Sequence, residues 1–483
     1  MASLPAAGTR VGPSNLPNMA TISTPNTRPA IQFLPGSNHW RIMGIEITTS
    51  YVSTTNLVFF LVSAGLLADV STAVSVASQL PACIILDRTY IHGLPTTNTQ
   101  HAVQMDAASF GIVDSYCDEI HWNGGDSQCF VSWNGVGPYL LQNDFIQAST
   151  EDVVFGGADP AIANLIPSDI TIVGNLIQKN LSWRGEAAPY NWTVKNLVEF
   201  KNGQRILIDG NVIQNVWNSG QFGFAILLTP RNQSGKCPWC VVQDVTITRN
   251  IIQHAAGGTE VAGGDNNYPS LPSARVLVSN NLYNDINGVN WANGTGGGWL
   301  FEIASNSTLP VPHDLTFDHN TGLPDNRFLE LGDTGVTPNV AITNNISNYG
   351  LYGIYGTGVG TGQIALTTFI SSYTYNDLIL MNASGTSDGS LWPSGTYWST
   401  PGGVQFTDAS SGNYQLLSTS PYHNAGTDGK DVGVWDWTCL NADTAAALAG
   451  TFVPGSGCDS AAMKVTIQPP TVQPPTGLQV SVQ

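Results

Sequence analysis

The sequence predicts an all-β solenoid, a stack of short parallel strands with turns between them. Three observations carry that prediction. One strand-and-turn pattern recurs along the chain. A second strand with period-two alternation lies between its copies. The composition is turn-rich and weakly charged: 51 Gly in 483 residues, with only 10% of residues charged.

The recurring pattern is an apolar strand ending in a turn residue, usually with Asn at or beside it. It reads Ile85-Leu86-Asp87, Ile112-Val113-Asp114, Leu140-Leu141-Gln142-Asn143 and Ile172-Val173-Gly174-Asn175. It continues through Leu207-Ile208-Asp209-Gly210-Asn211, Ile247-Thr248-Arg249-Asn250, Val278-Ser279-Asn280-Asn281, Phe317-Asp318-His319-Asn320 and Ile342-Thr343-Asn344-Asn345. Successive turns are 27, 28, 32, 36, 39, 31, 39 and 25 residues apart. A period in this range with variable insertions marks a solenoid. Asn fits the turn because its amide tolerates left-handed backbone angles and bonds nearby backbone, and stacked amides can pair along the axis.

The second strand appears as Val103–Asp106, Val131–Asn134, Val153–Gly156, Val198–Lys201, Ile226–Thr229, Phe301–Ala304 and Leu329–Gly332. Alternation places Met105, Trp133, Phe155, Phe200, Leu228, Ile303 and Leu331 inside. The second and fourth members of each set point outward and form columns along one face.

Composition excludes other classes. A helical bundle needs more Ala, Glu, Lys and Leu. Disorder is excluded by 42% hydrophobic residues with 13 Trp, 15 Tyr and 16 Phe. A net charge of −18 without a basic patch disfavours nucleic acid. No apolar run reaches the ~18 residues of a membrane span, Leu57–Leu67 being too short. The composition suits a secreted, extracellular protein, although no basic leader precedes an apolar stretch; the opening residues read as a cut through a longer chain. Among the seven cysteines, Cys439 with Cys458 and Cys117 with Cys129 are candidate disulfides. Cys237-Pro-Trp-Cys240 reads as a loop disulfide or two thiols, since it lacks both a second CxxC and a βαβ setting.

The Asn-turn rungs resemble the right-handed parallel β-helix of the pectate-lyase-like superfamily, over roughly residues 28–360. Gly402–Val434 resembles the closing segment of secreted bacterial β-helix proteins. The resemblance implies three parts: a β-helix over 1–375 without its usual N-terminal cap, an irregular β cap over 376–465, and a Pro-rich linker over 466–483 leading into a fibronectin-type domain. An uncapped first rung near Arg28–Thr48 invites end-to-end self-association.

Chemistry-bearing residues are densest between Asp87 and Arg231. Glu199 and Lys201 share the outward face of one strand. Removal of a uronate C5 proton needs a base, a group that neutralises the carboxylate, and an acid for the leaving oxygen. Lys201 is the candidate base. Glu199 with Asp126, Glu151 or Asp159 is a candidate calcium set, Asp159 and Glu199 being the ligands chosen. This resembles alginate-lyase and chondroitinase-type β-helices, where Lys and Arg transfer protons beside calcium; here no Arg occupies the matching column. Candidate substrate contacts are Asn134 in one outward column, His92 and Lys179 in a second with Glu119, Gln147, Asn215, His254 and Asp285, Gln128 in the polar stretch, and Trp183 and Trp192 in loops. The leading expectation is a polysaccharide lyase with a polysaccharide ligand. The alternatives are a glycoside hydrolase using a carboxylate pair from Asp126, Glu151 and Glu199, and a non-catalytic adhesin or structural surface protein. The paired-Asp motifs of polygalacturonases are absent. No His-x-His or His-x₃-His pattern signals zinc.

Overall fold

The computed structural model describes residues 4–60, 74–185, 192–265, 268–294, 296–305, 310–332, 335–454, 458 and 476–480. These residues form a right-handed parallel β-helix. Each coil contributes three strands, and each strand pairs in parallel with its equivalent one coil away. One face stacks Ala82–Asp87, Ala108–Val113, Tyr139–Gln142, Ser168–Val173 and Gly203–Asp209, and continues to Tyr373–Met381. A second face stacks Tyr116–Ile120, Phe145–Ala148, Leu176–Gln178 and Val212–Val216. The third stacks Asn98–Gln104, Gln128–Ser132, Glu151–Phe155, Val198–Phe200 and Phe224–Leu228.

A single coil cannot bury its own apolar strands, so stacking builds the core. On the third face Phe155 and Phe200 are fully buried and stack at 5.3 Å. Met105, Leu228, Ile303 and Leu331 are also buried, as alternation requires. Trp133 is the exception. The register pairs Ser132, not Trp133, with Phe155. Asp106 Oδ1 accepts the backbone N–H of both Trp133 and Asn134, which turns the chain out of the strand, and Trp133 lies half-buried against His101.

The turn between the first two faces explains its residue choice. The position before the inward Asn is left-handed: Gly174, Gly210, Arg249, Asn280, His319 and Asn344 all have φ between 52° and 66°. The next residue points in. Asn175 Nδ2 donates to Asn211 Oδ1 at 3.0 Å, and Asn211 to Asn250, Asn250 to Asn281, Asn281 to Asn320 and Asn320 to Asn345 follow at 2.9–3.1 Å. Each amide also satisfies strand carbonyls that the turn leaves unpaired.

The parallel stack continues past residue 375, through Tyr373–Met381 and Thr396–Ser399. Beyond it come a small antiparallel pair, Phe406–Asp408 with Asn413–Leu416, and the helix Trp437–Ala449, whose N-cap Asp436 accepts from Cys439 N. Residues 466–475 lie outside the described residues. Thr476–Val480 pairs antiparallel with Ile31–Met43, so this edge of the first coils carries a strand of the same chain. Disulfides join Cys117 to Cys129, Cys237 to Cys240 and Cys439 to Cys458. No helix is long and apolar enough to cross a membrane among the described residues.

Candidate functional site

The third face and the loops entering it form a cleft of about 490 Å³. Asp126, Gln128, Glu151, Lys195, Lys201 and Arg231 line it, and His101 lies in its wall. The coil geometry makes this convergence. His101, Gln128 and Glu151 are in register on adjacent coils. Lys201 directly follows Phe200, where its backbone N–H bonds Phe155 O at 2.7 Å. Arg231 is drawn in by its own N–H, which bonds Lys201 O at 2.9 Å. Gly156 keeps this approach open: with φ of 84°, a side chain there would meet the Asn202 backbone.

Ion pairs organise the cleft. Lys201 Nζ is 2.7 Å from Glu199 Oε1. Lys195 Nζ is 2.5 Å from Asp126 Oδ1 and 3.8 Å from Glu151 Oε1. Gln128 Nε2 donates to Glu151 Oε2 at 2.6 Å. Burial alone would push the Lys201 ammonium down, but the carboxylates of Glu199 and Glu151 outweigh it and hold Lys201 above its ordinary pKa. Burial would likewise raise Glu151; Lys201 and Lys195 outweigh it and hold its carboxyl below the usual value. For Glu199 burial wins and the carboxyl is raised. Burial pushes His101 down to about 4, so its imidazole is neutral at physiological pH. Its Nδ1 is 2.8 Å from Asn56 Oδ1.

Of the residues chosen from sequence, Asp126, Glu151, Gln128 and Lys201 line this cleft, and Glu199 touches Lys201 at its edge. The others lie elsewhere. Asn134 is folded into a turn, where its Oδ1 accepts from Ala161 N. His92 sits on the second face, paired with Glu46 at 2.9 Å. Lys179 is fully enclosed: its Nζ donates to Thr150 O at 2.6 Å and lies 3.3 Å from Asp152, so it cannot meet a substrate. The outward column assigned to it breaks because His92 pairs with Asp118 rather than Glu119, and Glu119 and its equivalents Asn215, His254 and Asp285 occupy left-handed bulges. Trp183 and Trp192 line a different cleft, with Trp217.

Asp159 is a loop anchor. Its Oδ2 accepts the N–H of Ser234 and of Lys236 and so fixes the segment after Arg231. The residues present do not fit the expected calcium site. Glu199 is committed to Lys201, Asp126 and Glu151 to Lys195, and Asp159 to backbone amides. No three His, Cys, Asp or Glu side chains converge in metal-binding fashion among the described residues.

Three titratable residues of the cleft were not chosen from sequence: His101, Lys195 and Arg231. Lys195 stood in the polar stretch, four residues before Glu199, but its loop placement hid it from a strand-face argument. Arg231 follows Pro230 outside the strand and supplies the cation that the outward column lacks.

No family model matches the chain, and neither does any curated protein sequence. Solved structures similar to it include pectate lyase Pel9A, at 13% identity and a TM-score of 0.43, covering 79% of this chain and 96% of that one. A tailspike protein, Dettilon, shares 14% identity at a TM-score of 0.34, over 74% of this chain and 60% of the other. The catalytic unit of an α-1,3-glucanase from Streptomyces thermodiastaticus shares 14% at 0.33, over 82% and 72%. These are likenesses of fold alone. The parallel β-helix itself rests on the strand pairings of this chain.

Proposed function

We propose that the cleft binds an acidic, uronate-containing polysaccharide outside the cell and cleaves it by β-elimination. The observation that carries this reading is the convergence of Lys195, Lys201 and Arg231 in one open cleft of a chain with only 16 Lys and Arg and a net charge of −18. A carboxylated sugar suits such a lining. The competing reading is a glycoside hydrolase, which the Asp126 and Glu151 carboxylates of the same cleft would serve.

The roles follow from protonation. Lys201 is held charged, so it serves poorly as the base; with Arg231 it neutralises the uronate carboxylate, which acidifies the C5 proton. His101, neutral and in the cleft wall, accepts that proton. Lys195, gripped by Asp126, returns a proton to the leaving glycosidic oxygen. The C5–H bond and the C4–O bond break and a C4=C5 double bond forms.

The test is a panel of uronate polysaccharides read by ultraviolet absorbance of the new double bond and, in parallel, by reducing ends. Wild type should give both signals together, and Lys201→Ala and Arg231→Ala should each lose about 10²-fold or more. Reducing ends without absorbance would replace the lyase reading by hydrolysis.

A further inference from the structure

A second cleft, of about 520 Å³, lies beside the first, lined by Trp183, Trp192, Trp217, Asn218, Ser219 and Asn293, with Arg184 at its rim. Clefts of this volume with an apolar lining and a few polar groups are the usual form of small-ligand sites. Its chemistry differs from that of the first. Arg184, its charged lining residue, is already engaged, bonding Asn290 O and lying 4.8 Å over the Trp291 ring. The remaining polar lining is amide and hydroxyl. The indoles of Trp183, Trp192 and Trp217 are 4–5% exposed, held by the core, and His121 stacks on Trp192 at 3.8 Å. A rigid aromatic floor with neutral hydrogen-bonding groups suits the CH faces and hydroxyls of an uncharged sugar.

The two clefts share a wall. The segment Trp192–Lys195 has its first residue in the second cleft and its last in the first. Across from it, Ser219 lines the second cleft and Gln221 the first. Gly220 N donates to Val194 O at 2.8 Å and Asn196 Nδ2 to Gln221 Oε1 at 2.8 Å, so the two segments are joined. Three residues of extended chain span about 10 Å, which sets the scale separating the clefts.

We propose that the tryptophan-lined cleft is a second saccharide subsite that takes an uncharged pyranose of the chain whose acidic unit occupies the first cleft. This rests on reading the first cleft as a saccharide site. The favoured ligand class is therefore a heteropolysaccharide with acidic and neutral units, rather than a homopolymer of uronate.

Tryptophan emission tests it, with xylotetraose, cellotetraose, mannotetraose and chitotetraose as neutral probes and tetragalacturonate and a hyaluronan tetrasaccharide as acidic ones, titrated to millimolar concentration. At least one neutral probe should change the emission saturably. Asn293→Ala, on the exposed rim, and Trp217→Phe should each weaken that titration by about fivefold. Lys201→Ala should leave it unchanged. Circular dichroism melting establishes that the variants fold, and Asn293→Ala decides the matter if Trp217→Phe does not. The proposal is overturned if no neutral probe changes the emission, if Asn293→Ala binds like wild type, or if Lys201→Ala abolishes the neutral titration and so places the sugar in the first cleft. Failure of the first-cleft reading shows separately, as uronate cleavage that survives Lys201→Ala.

Discussion

Lys179 and Lys201 belong to one coil, and their carboxylate pairs do opposite things. Lys179 and Asp152 lie 3.3 Å apart inside the solenoid, both with no exposed side-chain surface. Lys201 and Glu199 lie 2.7 Å apart on the third face, with 11% and 1% exposed. In the first pair, the ammonium spends its donors on protein, on Asp152 and Thr150 O. In the second, part of the ammonium opens to the cleft. Burial depth therefore separates a structural ion pair from one that can meet a ligand, although both read as outward Lys in the sequence.

The largest expected effect breaks the interior pair. Lys179→Met leaves Asp152 enclosed without its partner, and removal of one member of a buried pair destabilises by about 3–5 kcal/mol. Urea unfolding measures it. The double variant Lys179→Met/Asp152→Leu should recover most of the loss, because replacing both charges by apolar groups is close to neutral. A single variant as stable as wild type would mean that Lys179 is not enclosed.

A neutral interior element gives the next effect. Asn250 Oδ1 accepts from Asn211, while its Nδ2 donates to Ile208 O, Thr248 O and Asn281 Oδ1. Asn250→Ala orphans several buried groups at once, and about 2–3 kcal/mol should be lost in the same urea assay. A loss near zero would show that water replaces the amide.

Lys201→Ala should cost less, about 1–2 kcal/mol, because the Lys201 side chain is 11% exposed to the cleft and water can take its place beside Glu199. The sequence alone suggests no stability change here, since it reads Lys201 as an exposed strand residue. The residue is instead nine-tenths buried. Cleavage should be lost while most of the stability remains. That separation of effects distinguishes the cleft pair from Lys179–Asp152, whose loss lowers stability first.

The contrast also explains what the sequence could reveal. Periodicity is local, so the turn residues and the inward Phe155 and Phe200 were legible, and with them the fold. Glu199 and Lys201 were legible because they alternate on one strand. Lys179 was misplaced by a register that bulges at left-handed residues, and such bulges leave no period. Lys195 and Arg231 arrive from loops whose course is set by hydrogen bonds such as Asp159 to Ser234, between residues 75 positions apart. His101 was hidden for another reason: its neutrality comes from burial, which a sequence does not display.

A pH dependence sharpens the comparison by adding a carboxyl with no ammonium beside it. Glu260 continues the outward column of Glu199, with Leu227 between them. Burial, and then the charge of Glu199, push its pKa up to about 8. A carboxyl raised in the folded state binds more protons folded than unfolded between about pH 4.5 and 8. Stability from this group is therefore full below that window and falls as pH rises through it. Asp152, raised to about 7 by burial, adds a slope of the same sign. Wild type should melt a few degrees lower at pH 8.5 than at pH 5. Glu260→Gln removes one titrating group without removing its volume, so the difference between the two pH values should shrink, and the gain over wild type should appear at pH 8.5 rather than at pH 5. Glu199→Gln should change the slope less, because Lys201 offsets part of its burial. An equal pH difference in wild type and Glu260→Gln would mean that Glu260 titrates as an ordinary carboxyl, and that the column beyond the cleft is as well solvated as any exposed strand.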